Sequence, residues 1–141
     1  MTSKKIVIMP ATAIFVALFL LFNTMNSQGI KSKPWPVPDK DKTMKAPVKL
    51  SDPAAITTGK ALWSKHCKLC HGNQGMGDGP RAASLKDFPG DFSSPVFQAN
   101  TDGEIFYRIN KGRDEMPGYE KNIPGATDRW ALVAFIRTLK K

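Results

Sequence analysis

The segment Cys67-Lys68-Leu69-Cys70-His71 contains the only two cysteines of this 141-residue chain. Two cysteines three positions apart, followed directly by a histidine, form the C-x-x-C-H spacing at which a polypeptide binds haem covalently. In that chemistry the two thiols add to the two vinyl groups of the porphyrin, and the histidine becomes the proximal ligand of the iron. The spacing therefore predicts one covalent haem c, with Cys67 and Cys70 as attachment sites and His71 as an iron ligand.

Three other interpretations of these residues are open. A zinc site needs four ligands, but the motif supplies three, and the one other histidine, His66, directly precedes Cys67 without a second ligand cluster downstream. A thioredoxin-like dithiol should follow a strand in a βαβ unit, whereas a helical pattern precedes this motif. The third interpretation is chance occurrence. A disulfide would have to close within the motif itself, which is a poor way to stabilise a fold.

The N-terminus has the pattern of an export signal. Lys4 and Lys5 precede an apolar run over residues 6–22, and polar residues 23–29 follow it. The run is long for a signal peptide and short for a membrane span, so residues 1–29 are predicted to be either a cleaved signal peptide or an N-terminal membrane anchor. Because positive charge stays on the cytoplasmic side, the rest of the chain is expected in the periplasm, where haem c is attached.

Residues 30–50 are rich in Lys and Pro and have no apolar period, which predicts an extended tether with polyproline character. Trp35 stands between two prolines. We expect it to lie on the domain surface or at a membrane interface, in preference to a role in partner docking.

The remaining residues, 51–141, are enough for one small domain, and three helices with start and stop signals can be recognised in it. The first begins at Asp52-Pro53 and carries both cysteines on one face as far as Cys70. The second opens with the capping box Thr101-Asp102-Gly103-Glu104 and ends near Gly112. The third begins at Thr127-Asp128. No stretch indicates a strand, so the predicted fold class is all-α.

The sixth iron position requires a ligand from a segment that can reach the opposite porphyrin face. His66 is held on the proximal side by the helix that leads into Cys67. Met116 lies far along the chain, beyond the second helix, and Pro117 and Gly118 favour an irregular loop around it. We therefore expect Met116 to be the distal ligand; the alternative is a loop methionine that fills the core.

Taken together, these motifs make residues 51–141 resemble a class I monohaem cytochrome c, and in particular the small exported bacterial c-type cytochromes. The motifs that carry the resemblance are Gly59-Lys60, Cys67 to Gly72, Gly75-x-Gly77-x-Gly79-Pro80, Met116-Pro117 and Asp128-Arg129-Trp130-Ala131. The resemblance implies a cytochrome c fold with three main helices around the haem, and close packing of the first helix on the last at Gly59. It also implies that the Pro80 carbonyl accepts a hydrogen bond from the His71 ring. Four side chains could bind the haem propionates: Arg81, Tyr107, Arg108 and Arg113.

With His71 and Met116 both bound, the iron has no position for a substrate. The sequence therefore predicts a one-electron carrier of an exported respiratory electron-transfer chain, and not an enzyme. One alternative is a haem c subunit of a larger membrane-bound oxidoreductase complex; another, less favoured, is a haem sensor or a peroxidase.

The charge of the chain is consistent with docking to acidic surfaces. The formal net charge is +9, of which only Lys4 and Lys5 belong to the leader. Basic carriers are steered to acidic patches, so the expected partners are a quinol-oxidising complex, a terminal oxidase or another cytochrome. An uncleaved leader would add the membrane as a partner. Nucleic acid is not expected, because no nucleic-acid motif accompanies the charge.

Overall fold

The computed structural model describes residues 34–141, and residues 1–33, with the predicted leader, lie outside the described part. Residues 34–141 form helices and loops without a β-strand; two residues, Arg113 and Met116, make an isolated bridge. The helices are α1 (Asp39–Lys42), α2 (Pro53–His66), α3 (Lys68–His71), α4 (Pro95–Gln98), α5 (Asp102–Lys111) and α6 (Ala126–Thr138), with a 3₁₀ turn, Ala82–Ser84, between α3 and α4. The predicted all-α class is confirmed.

Helix α2 begins as predicted but ends earlier. The Asp52 side chain accepts a hydrogen bond from the backbone N–H of Ala54 at 2.9 Å, and Pro53 occupies the first helical position. The helix ends at His66. Cys67 departs from helical geometry, and the chain then forms the separate four-residue helix α3, which Gly72 ends with a positive φ of 80°. Cys67 thus lies at the junction between the two helices and Cys70 within α3, so the two cysteines do not share one continuous helix.

Helices α2 and α6 pack against each other at Gly59. A Cβ atom at this position would overlap the backbone carbonyl of Ala131 and come within 2.9 Å of the Cβ of Phe135. Only a residue without a side chain permits this approach. The predicted packing of the first helix on the last is confirmed, and every residue of α6 from Arg129 to Ile136 is buried.

The capping box of α5 forms as predicted. The Thr101 hydroxyl accepts a hydrogen bond from the Glu104 N–H at 3.2 Å, and the Glu104 carboxylate accepts one from the Thr101 N–H at 2.7 Å. Helix α6 begins at Ala126, slightly before the predicted Thr127, and Gly125 precedes it without a side-chain cap.

One arginine joins three of the helices. Arg137 of α6 donates to the Asp102 carboxylate at 2.7 Å and to the backbone carbonyls of Gln98 and Asn100 at 3.0 and 2.7 Å. The C-terminal part of α6 is therefore bound to the end of α4 and the start of α5.

Residues 34–50 lie against the domain, which differs from the extended tether expected from the sequence. Val37 is buried, and the carbonyl of Lys42 accepts a hydrogen bond from the Thr101 hydroxyl at 2.8 Å. The physical reason is an alternating pattern hidden among the lysines and prolines, since every second residue contacts the core: Met44, Ala46, Val48 and Leu50. Within residues 34–141, no helix is long and apolar enough to cross a membrane.

We predict that Gly59→Ala destabilises the folded protein by about 1–3 kcal/mol, because the added methyl group meets the backbone of α6 and no flexible side chain can move aside. Denaturant unfolding of the haem-loaded protein measures this loss. The matched control is Thr58→Ala, at the neighbouring exposed position of α2, which should change stability by less than about 0.5 kcal/mol. Equal stability of both variants would contradict the close approach.

Candidate functional site

A cavity of about 390 Å³ lies between helices α2 to α6 and the loops that connect them. Cys67, Cys70, His71 and Met116 all line it, although Met116 is far from the other three along the chain. The fold thus brings four of the five predicted site residues to one cavity. The fifth, Pro80, is exposed and lines a different depression on the surface, beside Lys68 and Asp78.

The His71 side chain is buried among aromatic rings. It is 8% exposed, and its ring centroid lies 4.5 Å from that of Phe92 and 5.7 Å from that of Trp63. Burial lowers the pKa of His71 from 6.5 to about 4, and the Pro89 carbonyl acts weakly in the opposite direction. Its Nδ1 atom has no hydrogen-bond partner within residues 34–141. At neutral pH the imidazole is therefore neutral, which is the form that binds a metal.

The surroundings of Cys67 do not favour thiolate catalysis. Burial is the main cause that raises the pKa of Cys67 to about 12, and the neighbouring Cys70 adds to the effect. A reactive dithiol needs a lowered thiol pKa in an electropositive setting. No disulfide joins the two residues in the described structure. The helical surroundings and the raised pKa both argue against the thioredoxin-like interpretation.

A glycine-rich loop after α3 folds back onto the C-x-x-C-H segment and holds it. The N–H groups of Gly77 and Gly79 donate to the carbonyls of His71 and Cys70 at 3.0 and 3.2 Å. The Trp63 indole N–H donates to the Gly72 carbonyl at 3.0 Å, which ties the loop to α2. Three glycines with positive φ make this course possible: Gly72, Gly75 and Gly77. The backbone position of His71 is therefore set from two sides.

Pro89, not Pro80, is the proline next to the His71 ring. Pro89 lines the cavity, and its carbonyl is the backbone group that acts on the imidazole. The sequence has Pro80 in the glycine loop and Pro89 nine residues later. Only the three-dimensional path of the chain shows which of the two prolines lies beside the His71 ring. Because residues 77–81 bond to the outer side of α3, the loop has to continue past Pro80 before it reaches the cavity.

Met116 stands on a tight turn that the isolated bridge closes. The N–H of Arg113 donates to the Met116 carbonyl at 2.8 Å, and the N–H of Met116 donates back to the Arg113 carbonyl at 2.9 Å. Asp114, inside the turn, has a φ of 51°. The turn presents a half-buried Met116 at the cavity, as expected for an irregular loop.

Tyr119 is a positioning residue that the sequence analysis did not single out. Its hydroxyl donates to the His66 carbonyl at 2.8 Å, and its N–H donates to the Ile109 carbonyl at 2.9 Å. These bonds tie the Met116 loop to the end of α2, one residue before Cys67, and to α5. The one sequence signal for this role was the position of Tyr119, three residues after Met116.

The four propionate candidates divide into two groups. Arg108 and Arg113 line the cavity, whereas Arg81 and Tyr107 do not. Trp35, from the segment expected to be a tether, also contributes to the cavity wall. It is half-buried at the edge of the cavity, and neither expected placement, on the domain surface or at a membrane interface, had included this cavity.

The residues present fit a covalent haem. The cavity brings together two thiols at the required spacing, a neutral buried imidazole with an unpartnered nitrogen, a thioether, and a wall of apolar and aromatic side chains. Over residues 34–141, no group of three or more His, Cys, Asp and Glu side chains is arranged to hold a metal ion. The described residues thus give no support to the zinc interpretation.

Comparison with known proteins agrees with this site. Residues 54–136 match the family model described as "Cytochrome C oxidase, cbb3-type, subunit III". Among solved structures, a chain of the Kuenenia stuttgartiensis reducing HAO-like protein complex Kustc0457/Kustc0458 is 26% identical, with a TM-score of 0.62 over 77% of this chain. The KustC0563 c-type cytochrome is 33% identical, with a TM-score of 0.50 over 59% of this chain and 98% of its own length. No curated protein matches.

The fold and the cavity define a c-type cytochrome, in which helices enclose one covalently attached haem. More particularly, the chain belongs to the family of cbb3-type cytochrome c oxidase subunit III cytochrome c domains. It is therefore a haem c protein with an electron-transfer domain, and haem c with its iron is its cofactor. The chain spans 52% of the length of the first structure, the one from the HAO-like complex.

We predict that Tyr119→Phe lowers the free energy of unfolding by about 0.5–1.5 kcal/mol, because it removes the hydrogen bond to the His66 carbonyl and leaves that carbonyl without this donor. Urea unfolding of the haem-loaded protein measures the effect. Tyr107→Phe, at a half-buried tyrosine outside the cavity, is the matched control. A loss no larger than that of the control would show that the bond does not hold the loop.

Proposed function

We propose that this protein is a one-electron carrier whose haem is attached to Cys67 and Cys70 and whose iron is bound by His71 and Met116. The observation that carries the proposal is the convergence of these four side chains on one cavity. The haem supplies reversible one-electron chemistry when bound. The chain supplies the two axial ligands and an apolar enclosure.

Met116 is the best candidate for the second axial ligand. It is the methionine that lines the cavity, while Met44 contacts the core from residues 34–50 and Met76 lies at the other surface depression. His66 also lines the cavity, but it belongs to the end of α2 beside Cys67, on the same side as the attachment sites. A thioether ligand raises the reduction potential relative to a second imidazole.

An iron with two protein ligands has no position for substrate or oxygen, so outer-sphere exchange of one electron remains. This argues for a carrier and against the sensor or peroxidase alternative. Trp63, Phe92 and Ile105 contribute apolar surface to the site, and an apolar environment disfavours the additional charge of the ferric state. A mid-to-high potential, suited to delivery to a terminal oxidase, is the expected result.

The proposed location is the periplasm, with residues 1–29 as a cleaved signal or as a membrane anchor. The apolar run that follows Lys4 and Lys5 supports export. The proposed partners are redox proteins of a respiratory chain with acidic docking patches, since the chain carries a formal net charge of +9.

A second candidate function is that of a fixed haem c subunit in a larger oxidoreductase complex. Two observations favour it: the matching family model is described as an oxidase subunit, and one similar structure is a chain of a protein complex. In this case the chain would relay electrons, while catalysis would take place in another subunit.

We predict that Met116→Ala abolishes the near-infrared sulfur-to-iron absorption band and lowers the midpoint potential, while the haem stays covalently attached, because the attachment sites are unchanged. Optical redox titration measures both, and a mass increment of roughly 616 Da over the unmodified chain verifies attachment. Met76→Ala, at a 37% exposed methionine outside the cavity, is the matched control. An unchanged band in the Met116 variant would reject this ligand. A wild-type protein without the mass increment would reject the proposed function.

We predict that a salt wash dissociates the native protein from other respiratory subunits, whether or not residues 1–29 hold it at the membrane, because a carrier binds its partners through screened surface charges. Electron transfer to an acidic partner should slow as ionic strength rises. The test is fractionation of native membranes before and after the wash, followed by solubilisation. Co-purification with other subunits in stoichiometric amounts after the wash would favour the fixed-subunit function instead.

A further inference from the structure

Trp35 and two arginines form a cluster at the edge of the cavity. The Arg113 guanidinium carbon lies 4.4 Å from the centre of the Trp35 ring, and that of Arg108 lies 5.9 Å from it. Arg113 also donates to the Pro34 carbonyl at 2.7 Å, and Arg108 donates to the Trp35 carbonyl at 3.3 Å. All four residues line the cavity. Both stacking and hydrogen bonds therefore fix residues 34–35 to the two guanidinium groups.

The cluster has unused capacity to bind an anion. The Nε atom of Arg108 is buried and has no hydrogen-bond partner in the described residues, and such a donor is costly to leave unpaired. Burial lowers the pKa of Arg108, and the positive charge of Arg113 adds to this effect, while Glu104 opposes it. An anionic group beside these cations would satisfy the open donor and offset their mutual repulsion.

Nearby carboxylates do not already serve this purpose for Arg108. Asp114 pairs with Arg113 at 3.5 Å, and Glu104 is engaged in the capping box of α5. Asp91 accepts hydrogen bonds from Ser93. Glu115 accepts one from the Lys86 N–H at 2.7 Å.

We propose that Arg108 and Arg113 bind a carboxylate of the haem, and that Trp35 is the positioning residue that holds both guanidinium groups at the cavity. This inference rests on the proposed function, since it requires the haem in this cavity. Trp35 lies outside residues 54–136, which match the family model. Part of the cofactor site is therefore supplied by a segment that precedes the cytochrome c domain.

The experiment uses the full chain, produced with machinery that attaches haem c, in four variants: Arg108→Gln, Arg113→Gln, Trp35→Ala and Trp35→Phe. Arg81→Gln is the matched control, because it removes the same charge from an exposed residue outside the cavity. The measurements are haem content, midpoint potential, the haem propionate bending bands in the resonance Raman spectrum, and thermal stability.

We expect haem content to remain unchanged in all variants, because both thiols are intact. Either Gln variant should lower the midpoint potential, because a carboxylate without its cation favours ferric iron. The expected size is about a tenfold change in the oxidised-to-reduced ratio, which equals about 59 mV for one electron. The propionate bands should shift in the same variants. Trp35→Ala should cause the same two changes to a smaller extent. Trp35→Phe should keep the potential and the propionate bands close to those of the wild type, because it retains an aromatic face.

The proposal is overturned if the Gln variants keep the potential and propionate bands of the Arg81→Gln control, because Arg108 and Arg113 then do not bind a haem carboxylate. A loss of thermal stability in Trp35→Ala, with potential and bands unchanged, overturns the positioning role and leaves Trp35 a packing residue. The proposed function itself fails in a different way, through absence of covalent haem in the wild-type chain.

Discussion

The cofactor site depends first on the burial of one imidazole, that of His71, whose Nδ1 atom has no hydrogen-bond partner in the described residues. His71 is enclosed by Trp63 and Phe92, and burial keeps it neutral at the pH of any ordinary compartment. A buried polar atom without a partner costs about 1–3 kcal/mol. In the proposed haem site, the lone pair that neutrality provides would bind the iron. The fold and its cofactor therefore stabilise each other, which suits a domain too small to bury a large core.

The rest of the molecule consists of a frame of long helices and of loops, one of which carries Met116, the proposed distal ligand. Helices α2 and α6 meet at Gly59 and form the frame, and Arg137 joins α6 to α4 and α5. Met116 and the glycine loop after His71 lie outside these helices and are held by hydrogen bonds to them, such as that of Tyr119 to His66. The position of Met116, the proposed distal ligand, thus depends on hydrogen bonds between its loop and the helices.

Much of this arrangement follows from local patterns in the sequence. Caps at Asp52 and Thr101 define helix starts because they satisfy backbone groups within three residues, and the C-x-x-C-H spacing is itself local. Contacts between distant segments were less accessible. The approach of Pro89 to His71 has no local signature, because it depends on the path of the whole chain. The packing of residues 34–50 on the core was missed for another reason. The alternation over residues 44–50 was a usable signal, but lysines and prolines at the intervening positions obscured it.

The two thiols lie within a single turn of chain, and this placement affects how the protein refolds after denaturation. Bonds to residues so close together restrict the denatured chain very little, because loop-closure entropy is small for so short a loop. What a covalent cofactor provides is permanence, since heat or denaturant can disperse the helices without releasing it. Refolding is then a first-order process that starts with the porphyrin already in place, and its rate does not depend on how dilute the protein or free haem has become.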